Sequence, residues 1–429
     1  MTDHDQEFWR KKLMAFLHDA PDKCFDIANH EGSAARCQSA AGFTDNEIRK
    51  EREKEIKPAD WFSASAERFV FPKQKCAHNF KDVPLFIHPL SSKNYVFPDG
   101  FASKSGSHSE AIQTAIGGIR TDDWHERFFL YWRRWQENAT ALANNQALAF
   151  LPADTRIPDH TIWNHMSVAS ALAPCVVGLD VRPELLLFQF GPVQEFIAQA
   201  GSTRDLWSGS YLISWLVAHA LKAVTDEIGP DTVIFPSLRG NGIFDALHKD
   251  LFYATPWKQG DQGGTQTTWE RLIADKGGNA KVADWLLTPT LPNRFLAIVP
   301  PGAGERLARA AQQAIHSELK EIGEAVWTWL VRNGAHEEWK KRWDAQLEAF
   351  PQTAWAVQPW LDRKACLEEA DKLPQAPEDD IGVAGRVKAM LELGESTLPK
   401  DDRDERYYSD KTTKTRLNNS GILWSAHYA

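Results

Sequence analysis

The chain has 429 residues, with 49 Lys and Arg against 58 Asp and Glu and a formal charge of −9, enough length for two or three domains with sizeable cores. That balance excludes attraction to nucleic acid by net charge, so any such binding must come from local basic surface or from partners. There is no apolar run of eighteen residues, no signal-peptide layout in MTDHDQEFWRKK and no Cys-x-x-Cys pair among five cysteines, which points to a soluble cytoplasmic protein without membrane contact, zinc ribbon or disulfide framework.

Up to about Pro174 the chain reads as mostly helical. Phe8–His18 carries Trp9, Leu13, Phe16 and Leu17 at helical spacing, and Trp124–Ala143 reads as a second, aromatic-rich helix. The Ser and Gly run at Ser103–Ser109 reads as an exposed loop, and Val181-Arg182-Pro183 as a linker. From Leu185 strands alternate with helices. Strands are expected at Leu185–Phe190, Thr232–Phe235, Arg294–Val299 and Ala354–Pro359. Helices are expected at Pro192–Glu227, broken near Gly201, and at Glu305–Val331, where Leu307, Ala311, Ile315, Leu319, Ile322, Val326 and Leu330 share a face.

The fold class read from this is α+β. An all-helical domain over 1–180 precedes a β-α-β-β-α-β domain over 181–362, ferredoxin-like with its helices on one side. An insertion at Ala246–Leu287 holds a polar loop, Gln259–Thr268, and a helical, charge-dense segment over 363–429 follows. The 18 tryptophans are assigned mainly to cores and subunit contacts rather than to base stacking.

Two places carry chemistry. In the stretch Leu185–Leu216, Pro192 suits the first turn of a helix, and Leu212, Trp215, Leu216, His219 and Ala223 mark its buried face. A strand turning directly into a helix leaves backbone N–H groups for a phosphate, with Gln194, Arg204, Ser208, Gly209 and Ser210 as candidate nucleotide contacts. The same residues also suit a plain core turn, with Gln194 and Ser210 as helix-end hydrogen-bonders and Arg204 paired to Asp205 or Glu195. The second place is His18-Asp19, at a helix end. A polar pair there serves as a cap, but imidazole beside carboxylate also binds Mn, Fe or Ni and supports phosphodiester hydrolysis.

The words LLLFQFGPVQEFIAQAGSTRDLWSGSYLISWL (185–216), LHDAPDK (17–23), ADWFSASAER (59–68), IHPLSS (87–92), LPADTRIPDHTIWNH (151–165), FPSLRGNGIFD (235–245) and LPNRFLAIVP (291–300) occur in this order. Together they resemble the large subunit of type III-B, Cmr-module CRISPR effector complexes. The resemblance implies a circularly permuted HD phosphohydrolase domain followed by a first, cyclase-like palm. It implies a divalent-metal site (Mn, Ni or Mg) at His18, Asp19, Asp60 and His165, with His18 and Asp19 central to catalysis. His30 and His160 are secondary candidates and His88 a weaker one. Family palms hold metal with aspartates, but Phe190-Gly191-Pro192-Val193-Gln194 has none and no Gly-Gly-Asp-Asp turn is present.

The resemblance further implies single-stranded DNA as the HD substrate and, as partners, the other effector subunits, crRNA and target RNA. A second palm making cyclic oligoadenylate from ATP at the palm interface would lie on the missing half. Ser420–Ala429 reads as the start of an amphipathic helix, as expected of a truncated or naturally split chain. The rival expectation is a structural, RNA-sensing scaffold without chemistry of its own.

Overall fold

The computed structural model describes residues 3–361 except 67–79, 89–90, 92, 120, 156–157, 179, 255, 260–261, 268 and 271–287, with isolated positions from 365 to 389. Helices combine with small antiparallel sheets in an α+β arrangement of two compact units. The first comprises residues up to Pro183 with the described residues from Pro359 on; the second is Glu184–Gln358. The segment expected over 363–429 and the insertion beyond 270 lie almost wholly outside the described residues. Among the described residues no helix is long and apolar enough to cross a membrane.

The first unit is built on helices α1 (Asp3–Phe16), α2 (His30–Ala40), α3 (Asp45–Glu51), α4 (Lys57–Ala66), α5 (Ser105–Gly117), α6 (Trp124–Leu142) and α7 (Ile162–Leu172). Two short hairpins accompany them, β1 (Leu85–Ile87) with β2 (Asn94–Val96) and β3 (Val176–Val177) with β4 (Asp180–Val181). Helix α1 packs on α6 and α7, and α4 on α7. Leu13, Phe16, Phe128, Trp135 and Trp163 fill the centre, with Trp135 and Trp163 edge to face at 5.3 Å. Both indoles are satisfied: Trp135 Nε1–H donates to the Ile112 carbonyl and Trp163 Nε1–H to that of Leu148. The tryptophans here make the core.

Thr44 starts α3 with a capping box closed by Glu47. A π-helical turn, Arg52–Ile56, joins α3 to α4. Such a turn holds one residue more than an α turn, rotating everything after it by about 100°. Ser103–Ser109 is not a loop. A 3₁₀ turn at Ala102–Lys104 leads into α5, whose Ala111, Ile112, Ala115 and Ile116 are buried at helical spacing and draw the polar residues before them into its first turn.

The second unit runs β5 (Glu184–Gly191), α8 (Gln194–Ile197), α9 (Thr203–Ile228), β6 (Val233–Phe235), α10 (Gly242–Leu247), α11 (Lys249–Phe252), β7 (Pro256–Gln259), β8 (Gln262–Thr267), β9 (Arg294–Val299), α12 (Gly304–Arg332), α13 (Lys340–Ala349) and β10 (Gln352–Pro359). Its sheet has the order β10-β5-β9-β6, with β9 antiparallel to both neighbours. Helices α9 and α12 pack together, and α12 also packs on β5. The polar stretch expected as a loop at Gln259–Thr268 includes most of the β7–β8 hairpin.

Three expectations are corrected here. The helix expected from Pro192 starts two residues later, at Gln194, while the break expected near Gly201 is present: α8 is a single turn, and α9 starts after Ser202, whose side chain accepts the Asp205 N–H. The buried face of α9 is Ile213, Leu216, Val217, Ala220, Leu221 and Val224, so Leu212, Trp215, His219 and Ala223 fall on its rim. On α12 burial continues in steps of four through Leu319 to Gly323 and Trp327, leaving Val326 exposed. A Cβ at Gly323 would meet Leu347 of α13, so this glycine admits the neighbouring helix.

Candidate metal centre

Helix α1 closes with N–H bonds from Leu17 to the Leu13 carbonyl (3.0 Å) and from His18 to that of Ala15 (3.3 Å). His18 and Asp19 therefore hang from its end. Asp60 is the fourth residue of α4 and His165 the fourth of α7, whose start is capped by Thr161. The packing of α1 and α4 on α7 brings these positions together.

His18 Nε2 lies 3.1 Å from His165 Nε2 and 3.5 Å from Asp60 Oδ1. His165 Nε2 is 3.3 Å from the same oxygen. Asp19 Oδ2 is 3.7 Å from both ring nitrogens. His18, Asp60 and His165 form the only tight group of metal-ligating side chains among the described residues.

Hydrogen bonding orients the rings. His18 Nδ1–H donates to the Ala15 carbonyl at 2.8 Å, which leaves the Nε2 lone pair facing the cluster. Ser63 Oγ–H donates to the Asp60 carbonyl at 2.9 Å, and the hydroxyl oxygen stands 3.5 Å from His165 Nδ1 as its acceptor. Two lone pairs and a carboxylate oxygen then converge at separations of 3.1–3.5 Å. Those are the edge lengths of a coordination shell with bonds of about 2.0–2.2 Å. The donor set fits a divalent ion, and two imidazoles favour a transition metal over Mg²⁺.

Burial pushes the Asp60 carboxyl up, but hydrogen bonds from the His165 and His18 rings, made when their Nε2 atoms carry protons in place of the lone pairs a metal would use, outweigh it and hold the group well below the usual carboxylate range. Burial likewise opposes ionisation of Asp19, and Lys23, then His18, overcome it; the net direction is down. Both carboxylates are thus ionised at neutral pH. The His18 and His165 side chains are 6% and 4% exposed and that of Asp60 32%, so solvent reaches the cluster from the Asp60 side. A cleft of about 290 Å³ opens there, with His30, Gln38, Arg52, Lys57 and Trp61 in its walls.

The other candidates stand apart from this cluster. His30 lines the cleft, its Nδ1 bonded to the Ile27 carbonyl at 2.6 Å. His160 pairs with Asp159 at 2.7 Å, and His88 Nδ1 accepts the Ser91 N–H. In the second unit Gln194, Arg204 and Ser208 are exposed. Gly209 is tight against Phe196, with 3.1 Å for an added Cβ, and Ser210 bonds back to the Leu206 carbonyl. Lys23 and Ser63 were not singled out from the sequence, although each stands three or four residues from a ligand and could have been sought at helical spacing.

A family model described as "CRISPR-associated protein Cmr2, N-terminal" matches residues 185–324. The chain is 26% identical over 377 residues to the CRISPR system Cmr subunit Cmr2 of Pyrococcus furiosus, covering 76% of this chain and 39% of that protein. It is 25% identical over 263 residues to the Cmr2 subunit of Saccharolobus solfataricus, covering 56% and 24%. The chain thus spans well under half the length of these relatives. In fold it is similar to a chain of the type III-B Cmr-β complex in its apo state, with TM-score 0.57 and 17% identity over 97% of this chain and 41% of that one. A chain of the Cmr-β complex bound to cognate target RNA gives TM-score 0.50 and 16% identity, over 97% of this chain and 50% of that one. These matches make the chain similar to the N-terminal part of Cmr2, the subunit of the CRISPR Cmr system, by sequence over residues 185–324 and by fold over nearly its whole length.

Proposed function

We propose that the first unit is a permuted HD-type, metal-dependent phosphodiesterase acting on single-stranded DNA, within an RNA-guided type III-B effector complex in the cytoplasm. The observation that carries this is the convergence of His18, Asp60 and His165 beside an open cleft. A bound Mn²⁺ or Ni²⁺ supplies Lewis acidity, lowering the pKa of water and steadying phosphoryl oxygens. The chain's own residues supply the rest. His18 and His165 present fixed lone pairs, Asp60 brings negative charge, and Lys57 in the cleft wall brings positive charge for an incoming phosphate, while Arg52 there is paired with Glu31.

The second unit is proposed as a palm without metal ligands of its own. Its β5-α9-β6-β9-α12-β10 order and β10-β5-β9-β6 sheet are those of a ferredoxin-like domain, and β5 ends in Gly191-Pro192 where catalytic palms carry aspartate. Leu187 and Phe235 both register with Leu296 and are each 46% exposed, an apolar row across the sheet. That row suits docking of a second, catalytic palm, with ATP held between the two, and a subunit that meets crRNA and target RNA through its partners. It also favours the scaffold reading if the metal centre proves inert.

The test is the paired substitution His18→Ala and Asp60→Ala. Mn²⁺-dependent cleavage of single-stranded DNA by the purified chain is expected to fall at least about 100-fold, given what removing ligands of a catalytic metal costs. Undiminished cleavage would remove the proposal in favour of the scaffold.

A further inference from the structure

Asp19 is the one member of the cluster already held by a cation. The oxygen that faces both imidazoles at 3.7 Å, Oδ2, is the atom bonded by Lys23 Nζ. The ammonium is fixed from below: Ala20-Pro21-Asp22 makes a tight turn closed by the Lys23 N–H on the Ala20 carbonyl at 3.0 Å, and Lys23 opens a 3₁₀ helix. We infer that Lys23 occupies on Asp19 the place a second metal ion would take, so that the centre holds a single divalent ion on His18, Asp60 and His165. This rests on the metal-centre reading above and specifies its nuclearity.

Charge supports it. The two carboxylates against one ammonium leave a single net negative charge, which one divalent ion reverses to a single positive charge. A second ion beside Lys23 would place three net positive charges where the His18, Asp19 and His165 side chains are at most 7% exposed, and burying such a surplus is strongly unfavourable. The geometry agrees, since the ligand atoms of His18, Asp60 and His165 form one tight group that Asp19 does not join. Asp19 acts here as a positioning residue: it neutralises Lys23 and orders the turn after α1.

The experiment uses the full chain saturated with Mn²⁺, with metal content measured by mass spectrometry and electron paramagnetic resonance. The wild type is expected to bind one ion per chain, with the six-line spectrum of an isolated Mn²⁺. Lys23→Met, which keeps the stem and removes the charge, is expected to admit a second ion and give the spectrum of a spin-coupled pair; Lys23→Arg is expected to restore one. Two ions in the wild type, or one in Lys23→Met under the same conditions, would overturn the inference and leave the metal centre standing. No bound Mn²⁺ in the wild type would remove both.

Discussion

Ser63 shows how much of the centre depends on a side chain that touches no metal. It is fully buried, donates to the backbone of the helix carrying Asp60, and offers its oxygen to the far nitrogen of His165. One hydroxyl therefore ties two ligands on two helices. Ser63→Ala is expected to weaken Mn²⁺ binding about 10-fold with little change in fold, the usual effect of removing such an outer partner; titration calorimetry measures it. The nearness of His18, Asp60 and His165 was legible because their types and phrases carry the resemblance, whereas the pairing of Asp19 with Lys23 was not. Lys23 and Ser63 were less so, because a lysine and a serine near a motif are ordinary until the fold shows what they touch.

At the scale of elements, tight junctions decide what each segment does. Glu184 at the start of β5 accepts the N–H groups of Gly302 (2.8 Å) and Gly304 (3.1 Å), capping α12 from the sheet. A Cβ at Gly304 would stand 2.5 Å from Cγ1 of Val357 and 2.9 Å from Glu184 Oε2. Val357 is β-branched and stiff, so it cannot swing aside cheaply. Gly304→Ala is therefore expected to destabilise the second unit by about 1–3 kcal/mol, the ordinary cost of overpacking, in chemical denaturation.

A second junction joins α9 to α10, where Asp226 accepts from His248 Nε2 at 3.0 Å and pairs with Lys222. Burial pushes Asp226 up, but His248 and Lys222 outweigh it and its net direction is down. A depressed carboxylate contributes stability that is present above its unfolded pKa of about 3.9 and is lost as pH falls through the lower folded value. Asp226→Asn is expected to cost about 1 kcal/mol at pH 7, since the carboxylate is 40% exposed. The gap to wild type should narrow progressively as pH falls below about 3.9, as urea unfolding across a pH series will show.

Strand positions were the most readable elements. Arg294–Val299 agrees to the residue, because short apolar runs between breakers leave few alternatives. Helix faces were less readable. Helix α9 carries apolar residues around much of its girth, and its partners α12 and α10 decide which are covered. Ser103–Ser109 misled because composition describes its own few residues, whereas the helix is set by the apolar spacing that follows.

At the scale of the whole molecule the two units divide the chemistry. The family match at 185–324 falls within the second unit, while the metal-ligating group lies in the first. The acidic total of −9 sets both in a chain that repels polyanions at a distance, and the cleft of the first unit carries Asp19, Glu31 and Asp60 against Arg52 and Lys57, so a phosphate substrate there depends on the charge of a bound divalent ion. The proposed metal centre and the proposed docking surface thus rest on different residues in different units.

The account turns on one ion site. Crystals of the full chain soaked in Mn²⁺ and measured at the manganese absorption edge test it most directly. One anomalous peak is expected within about 2.2 Å of His18 Nε2, His165 Nε2 and an Asp60 oxygen. A map with no peak there, at full Mn²⁺ occupancy of the soak, would contradict the account.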